Sequence, residues 1–529
     1  MISLPHLILG LRPDLRNQHG LDADSGAARL LGWLLVSGTR EYAALLEDTS
    51  WMQVPIKGGP RHGLSTLQYV TYGMRPDLQA AFPLPRSKAA FLDWFYTHGI
   101  EEFPIWRFLT APEQQRALLS PEPWASRMKS IAESTAAWPP TRIAVGKRPF
   151  GVNLIGYAFG QLGIGEDLRM ATRALAKARI PFAVVNFPPG ADIPQNDRSV
   201  ETHVRDEGEF AVNLFCMTAE ECGRFYAERG ASQLLDRYTI GYWPWELGKW
   251  PAAWKMMLDL VDEVWVSSQH TFDALKPVCN KPLFLMPMTV ELGTVKRFSS
   301  PSAARKHFGL PSRAKLFCFS FDLNSSIHRK NPQACVDAFL QAFPVGKTTA
   351  AEVGLVIKAH KPAKPHKTWD KLKSLAASDP RIHIIESTLP RSELLALYKA
   401  CDCFVSLHRA EGFGRGLAEA LLLGLHVICT GYSGNVDFCR PPHADLVRYG
   451  MINVNKTDYV HTRGQLWADP DVAHAATLMK KFVRTPPARS KRSWLQFSAG
   501  VVGDGYNTRL HEIRRIAESV PSPFRQSTI

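Results

Sequence analysis

The sequence predicts two doubly wound parallel α/β domains, preceded by a mostly helical N-terminal module. Three observations predict it. From about residue 150 to 490, short apolar runs alternate with amphipathic stretches, the pattern of a parallel sheet covered by helices on both faces. Val405 to Phe438 then runs as apolar strand, glycine-spaced loop, helix, second apolar strand and turn. Finally, residues 1 to about 140 repeat themselves at a spacing of about sixty residues.

At 529 residues the chain exceeds one core, and 45% hydrophobic with 21% charged residues is ordinary for a globular protein, so three folded units are expected. A formal charge of +14 favours anionic partners such as nucleotide diphosphates or lipid headgroups. Lys and Arg are spread along the chain rather than gathered in a tract, which argues against nucleic acid. Nine cysteines, an odd number without paired CxxC spacing, read as reduced core residues; Cys401 and Cys403 share a strand face, which favours packing over zinc. The N-terminus lacks a basic lead with a cleavage site, and no apolar run reaches about 18 residues. A cytoplasmic protein follows, its charge compatible with peripheral contact at the anionic inner face of a membrane.

In the N-terminal module, expected over 1–140, Arg12-Pro-Asp-Leu15 recurs as Arg75-Pro-Asp-Leu78, Leu31-Gly-Trp33 as Leu92-Asp-Trp94, and Glu41-Tyr42 as Glu102-Phe103. Each copy, about 10–55 and 73–115, reads as an Asp-led turn, an amphipathic helix and a glycine C-cap at Gly38 or Gly99. Trp33, Trp94, Trp106 and Trp124 read as core before carbohydrate-stacking surface. An acceptor-binding or assembly role is expected. Around Trp138-Pro-Pro-Thr141 the composition turns to proline and basic residues, a domain boundary.

The first α/β domain, expected over 148–295, opens with a strand at Phe150 to Tyr157, a glycine loop Gly160-Gln-Leu-Gly163-Ile-Gly165-Glu166 and a helix from Asp167 to Ala178. A dinucleotide-binding loop uses the same mechanics, but the next strand ends in Asn186-Phe-Pro-Pro, without an acid placed for an adenosine ribose. Strands follow at Phe210 to Met217, Tyr238 to Trp243 and Glu263 to Ser267. The loop Gly241-Tyr-Trp-Pro-Trp-Glu246 puts a carboxylate among aromatics at a strand's carboxyl end, suited to acid-base or hydroxyl-holding work or to packing near a helix start. Ser267-Ser268-Gln269-His270 reads as a helix cap.

The second α/β domain, expected over 305–490, begins with a strand at Lys315 to Phe321. Arg329 and Lys330 precede a helix from Gln333 to Phe343, where a diphosphate would be neutralised. Lys358 closes the strand Val353 to Ile357. In Val405 to Phe438, the loop amides and the helix N-terminus can face phosphates, while Glu411 and Glu419 can accept hydrogen bonds from sugar hydroxyls. Asp22-Ala-Asp24 and Asp469-Pro-Asp471 read as turns or caps, so no metal site is expected. A last amphipathic helix spans about 495–520.

Glu411-Gly-Phe-Gly-Arg-Gly-Leu-Ala-Glu419, with the strands and the turn Gly431-Tyr-Ser-Gly-Asn435 around it, resembles the Glu-x7-Glu motif of the retaining GT-B glycosyltransferases often numbered family four. The resemblance covers about residues 150–520. It implies transfer of a hexose from a nucleotide diphosphate sugar to a glycan or lipid-linked acceptor with retention, in cell-surface polysaccharide synthesis. It implies Glu411, Lys330 and Glu246 as catalytic residues, and a donor site from Arg329, Lys330, Lys358, Glu411, Gly412, Phe413, Gly414 and Glu419. The two Rossmann-like domains would face each other across a cleft lined by Gly163, Gly165 and Glu166, Glu419 would hold the ribose, and the last helix would cross back to the first domain. No cofactor or metal is expected. Family members carry a His or Asp where this chain offers Glu246, and a further Arg upstream of Lys330 where it has Asp322 and Asn324. The rival readings are a non-catalytic nucleotide-sugar-binding scaffold acting through its N-terminal repeats, a nucleotide-sugar epimerase and a dinucleotide oxidoreductase.

Overall fold

The computed structural model describes residues 3–19, 26–53, 56, 59–103, 105–136, 148–190, 193–323, 325–360, 366–489 and 494–519. The Asp22–Asp24 turn, the Trp138–Thr141 boundary and Asn324 lie outside them.

Two parallel sheets dominate. The first is built from β1 (Val152–Gly156), β2 (Phe182–Asn186), β3 (Val204–Arg205), β4 (Val212–Cys216), β5 (Tyr238–Tyr242), β6 (Glu263–Val266) and β7 (Leu283–Leu285), ordered β3-β2-β1-β4-β5-β6-β7. The second uses β8 (Lys315–Asp322), β9 (Val353–His360), β10 (Ile382–Glu386), β11 (Cys403–Ser406), β12 (His426–Thr430) and β13 (Ala444–Val447), ordered β10-β9-β8-β11-β12-β13. Every pairing within both sheets is parallel. Central strands such as β4 and β11 are buried along their whole length, as continuous apolar runs require when helices cover both faces. This is the expected pair of Rossmann-like domains in a GT-B arrangement. In each, strand order reverses once, between β1 and β4 and between β8 and β11, and the loops leaving these strands open a crevice at their carboxyl ends.

Several expectations are corrected. The first helix of the first domain spans Gly163–Lys177, so Gly163, Gly165 and Glu166 form its first turn rather than a loop. Gly165 is there for close approach, since a Cβ would lie 2.5 Å from the Gly160 carbonyl oxygen and 2.8 Å from that of Tyr157. Gly38 and Gly99 are not C-caps: both end π-helical turns, Leu34–Gly38 and Phe95–Gly99, from which the chain continues in helical conformation. Their small size is a packing requirement, since a Cβ would lie 3.0 Å from Leu45 and 3.1 Å from Trp94 respectively. Lys358 is inside β9, which continues to His360, and Arg329 and Lys330 lie on their own helical turn, Ile327–Lys330.

The N-terminal helices are not a free-standing module. Leu7, Leu45 and Trp51 belong to the same buried cluster as Ile155, Phe215 and Phe225 of the first α/β domain, so these helices form a further layer upon it. Within the layer, Arg12 pairs with Asp14 and Glu41, and Arg75 pairs with Asp77 and Glu102. Trp106 is buried, whereas Trp33, Trp94 and Trp124 are half-buried.

A hairpin missed in the sequence and two passages of the chain between the domains complete the architecture. The antiparallel strands β14 (Tyr449–Asn453) and β15 (Leu466–Pro470) are joined by a connection that reaches the first domain, where Gln465 accepts from the Lys249 amide at 3.1 Å and donates to the Lys249 carbonyl at 2.7 Å. The chain also passes between the domains twice, near Val290 and again near Phe497, and the Val290 amide donates to the Phe497 carbonyl at 2.9 Å. After the second passage, helix Ala499–Ser519 packs along Gly163–Lys177; a Cβ on Gly503 would lie 2.5 Å from the Ala174 carbonyl oxygen. Arg509 on that helix pairs at 2.5 Å with the buried carboxylate of Glu263 on β6.

Candidate functional site

The crevice between the two switch points holds a cavity of about 440 Å³, bounded by both domains. From the second domain, the segment after β8 supplies Arg329 and Lys330, and the loop after β11 supplies Glu411. Lys330 Nζ lies 2.5 Å from Glu411 Oε1, and Arg329 Nη1 lies 3.3 Å from Glu411 Oε2. Burial would push the Glu411 carboxyl up, but Lys330 and Arg329 together outweigh it and hold the group at about 2. Glu411 is therefore a firmly ionised carboxylate. Arg329 is largely committed to local structure, donating to the Ala410 carbonyl at 2.9 Å and to Ser325 Oγ at 2.9 Å. Lys330 is the more available cation.

The loop carrying Glu411 is braced from β12. The Glu411 amide donates to Ser433 Oγ at 2.8 Å, and the Gly434 amide donates to the Glu411 carbonyl at 2.9 Å. Beneath them His408, fully buried, lies 3.0 Å from Ser406 Oγ and 2.9 Å from Asn435 Oδ1, and its burial lowers its pKa. Gly414 then turns the chain at φ 98°, a left-handed conformation that favours glycine, into helix Arg415–Leu422. Gly412 touches the first domain: a Cβ would come within 2.9 Å of the Trp245 carbonyl oxygen, and Ser268 Oγ donates to the Gly412 carbonyl at 2.5 Å. Ser268 also caps helix Gln269–Leu275, as the sequence suggested.

From the first domain, the loop after β5 brings Glu246 to the cavity. Tyr459, from the connection between β14 and β15, donates to Glu246 Oε2 at 2.8 Å, and Arg329 lies 3.6 Å from Glu246 Oε1. Around this carboxylate, Trp243 and Trp245 are buried, and Trp243 stacks on Trp250 at 5.9 Å.

The structure thus brings Glu411, Lys330, Arg329, Glu246, Gly412, Phe413, Gly414 and Gly163 to one cavity. Gly165, Glu166, Lys358 and Glu419 are not among the residues that line it. Glu419, one turn into its helix, is 3% exposed and pairs with Arg391 Nη1 at 3.0 Å, which rules out a solvated helix-start acid. Arg391 Nε also lies 3.2 Å from Glu166, so one guanidinium ties an acid from each domain. Lys358, buried in β9 one strand from the switch point, has its pKa lowered by burial, with Asp322 opposing. Asp471 caps helix Val472–Arg484, and Asp469 pairs with Arg409. All nine cysteines are free, and eight are buried.

Four residues escaped the sequence reading. Arg415 stood inside the quoted motif without a role, and Asp167 was counted as an ordinary helix residue. Tyr459 and Arg391 meet Glu246 and Glu419 only through tertiary packing, and no local pattern marks them.

Residues 325–451, which include Lys330, Glu411 and Glu419, match the family described as Glycosyl transferases group 1. No curated protein matches the chain. Among solved structures, HepE from Anabaena in complex with UDP and glucose is similar at 14% identity and a TM-score of 0.45, over 70% of this chain and 99% of that one. Sucrose-phosphate synthase from Thermosynechococcus elongatus is similar at 15% identity and a TM-score of 0.47, over 70% and 96%. The α,α-trehalose 6-phosphate synthase from Burkholderia multivorans shares 9% identity with a TM-score of 0.47, over 70% and 100%.

Proposed function

We propose that this chain is a glycosyltransferase that moves a hexosyl unit from a nucleotide diphosphate sugar to a glycan or lipid-linked acceptor, with retention at the anomeric carbon, in cell-surface polysaccharide synthesis. The observation that carries the reading is the Lys330–Glu411 pair at the β8/β11 switch point, beside the amides that open helix Arg415–Leu422. A diphosphate leaving group needs positive charge and hydrogen-bond donors where its negative charge grows, and the worth of both rises as water is excluded. Lys330 and the Gly414–Gly416 backbone supply them, so the reaction as proposed needs neither metal nor cofactor. Glu411, ionised in the free protein, then turns from Lys330 toward the hexose, orienting it and offsetting oxocarbenium character. Glu246, steadied by Tyr459, faces the cavity from the other domain and is placed to receive an acceptor hydroxyl.

Incubating the purified chain with UDP-, GDP- and ADP-linked hexoses and scoring nucleotide diphosphate release tests the reading, and proton NMR of the product assigns its anomeric configuration. Release that rises when a glycan acceptor is added is expected. A folded sample that neither binds nor turns over any of these donors would sink it, and free sugar epimers in place of diphosphate release would move the chain to the epimerase class.

A further inference from the structure

A second ion pair crosses the same cavity and has no part in the reading above. Arg415 is the first residue of its helix, directly after the left-handed Gly414. Its guanidinium reaches over the cleft to Asp167 on helix Gly163–Lys177, with Nη1 donating to the Thr289 carbonyl at 3.4 Å and Nη2 lying 2.9 Å from Met288 Sδ. Arg415 and Asp167 both line the cavity with Lys330 and Glu411, and their side chains are 14% and 15% exposed. The other acids near Arg415 are already engaged: Glu166 by Arg169 and Arg391, and Glu419 by Arg391. Burial pushes the Asp167 carboxyl up and Arg415 opposes it, so the carboxylate depends on that cation.

The pair therefore sits where two demands meet. An anion seated on the first-turn amides lies beside Arg415, and a diphosphate with at least two charges and several acceptor oxygens attracts a guanidinium more strongly than one carboxylate does. A carboxylate that loses its cation in a closed cavity must take another donor. We propose that Arg415 passes from Asp167 to the donor diphosphate on binding, and that Asp167 then accepts the hydrogen bond of the acceptor hydroxyl. This rests on the glycosyltransferase reading and adds an order to it: the donor enters first and uncovers the acceptor's partner. Arg415 becomes a diphosphate-binding residue, and Asp167 a specificity determinant on the acceptor side.

The test uses the full chain, with UDP, GDP and ADP titrated by calorimetry and the tightest of them carried forward. Arg415→Gln is expected to weaken that diphosphate by about 10- to 100-fold, and Arg415→Lys to recover most of the loss. Asp167→Asn, nearly isosteric, removes the internal competitor and is expected to tighten the diphosphate several-fold while lowering the ratio of transfer to donor hydrolysis. A bridge that merely held the domains together would show the opposite sign, with Asp167→Asn weakening the diphosphate as Arg415→Gln does, and that result overturns the proposal. So does wild-type affinity in Arg415→Gln, or an unchanged transfer ratio in Asp167→Asn. If the wild-type chain binds none of the three diphosphates, the glycosyltransferase reading itself falls.

Discussion

The two α/β domains share a strand order but present opposite charge to the cavity between them. The first domain offers Asp167 and Glu246, and the second offers Lys330, Arg329 and Arg415 with Glu411 and Asp322 among them. The difference begins in the first crossover of each sheet. After β1 the chain enters a long helix whose glycine-bearing first turn packs against its own loop, leaving Asp167 at the cavity. After β8 it makes one short turn, Ile327–Lys330, that ends with Asn331 in a left-handed conformation (φ 52°), and two cations stand at the switch point. One topology thus yields an acid-presenting face and a cation-presenting face through the chemistry of the first crossovers, with Glu246 added by the loop after β5 and Arg415 by the segment after β11. In the free protein these faces neutralise each other across the cleft, so a bound anion must replace ion pairs that already exist.

Breaking the cationic face should have the largest effect. Lys330→Ala removes the most available cation, and turnover measured as diphosphate release should fall by about 10²- to 10³-fold, the usual loss for one preorganised charge-stabilising donor. Next comes Glu411, whose carboxyl is held at about 2 in the folded protein. A depressed folded pKa contributes stability that is complete above the unfolded value, roughly 4.3, and is lost as pH falls toward 2. Urea unfolding between pH 6 and 2.5 should therefore show a loss on the order of 3 kcal/mol that is largely absent in Glu411→Gln. An equal loss in the variant would place the acid sensitivity elsewhere.

The acidic face should respond more mildly. Glu246→Gln keeps the shape and the Tyr459 contact but loses the charge, and should cost about tenfold in kcat/KM for the acceptor with donor affinity unchanged. The smallest effect belongs to the N-terminal layer. Arg12→Ala and Arg75→Ala each break exposed ion pairs and should lower stability by less than about 1 kcal/mol in thermal unfolding.

Much of this was legible before any coordinates. Buried parallel strands read as apolar runs because both faces are covered, so the central strands β4, β5, β11 and β12 fall where the sequence places them. Glu411 and Lys330 were legible because glycine spacing and a Lys-Asn-Pro helix start are local signals. What escaped depends on tertiary approach. Glycines at 163 and 165 look the same in a loop and in a helix packed against a carbonyl, so the helix start was placed four residues late. Tyr459 lies 213 residues from Glu246, and Arg391 lies 225 from Glu166 and 28 from Glu419, distances over which no periodicity speaks. The N-terminal region was expected as a folded unit of its own, yet it shares its core with the first sheet, since Leu7 and Trp51 belong to the same buried cluster as Ile155 and Phe215.

The paired passages of the chain near Val290 and Phe497 carry a mechanical consequence. Two polypeptide segments fastened side by side by a backbone hydrogen bond behave as a strap rather than a swivel. The Gly412 loop of the second domain is likewise seated against Trp245 and Ser268 of the first.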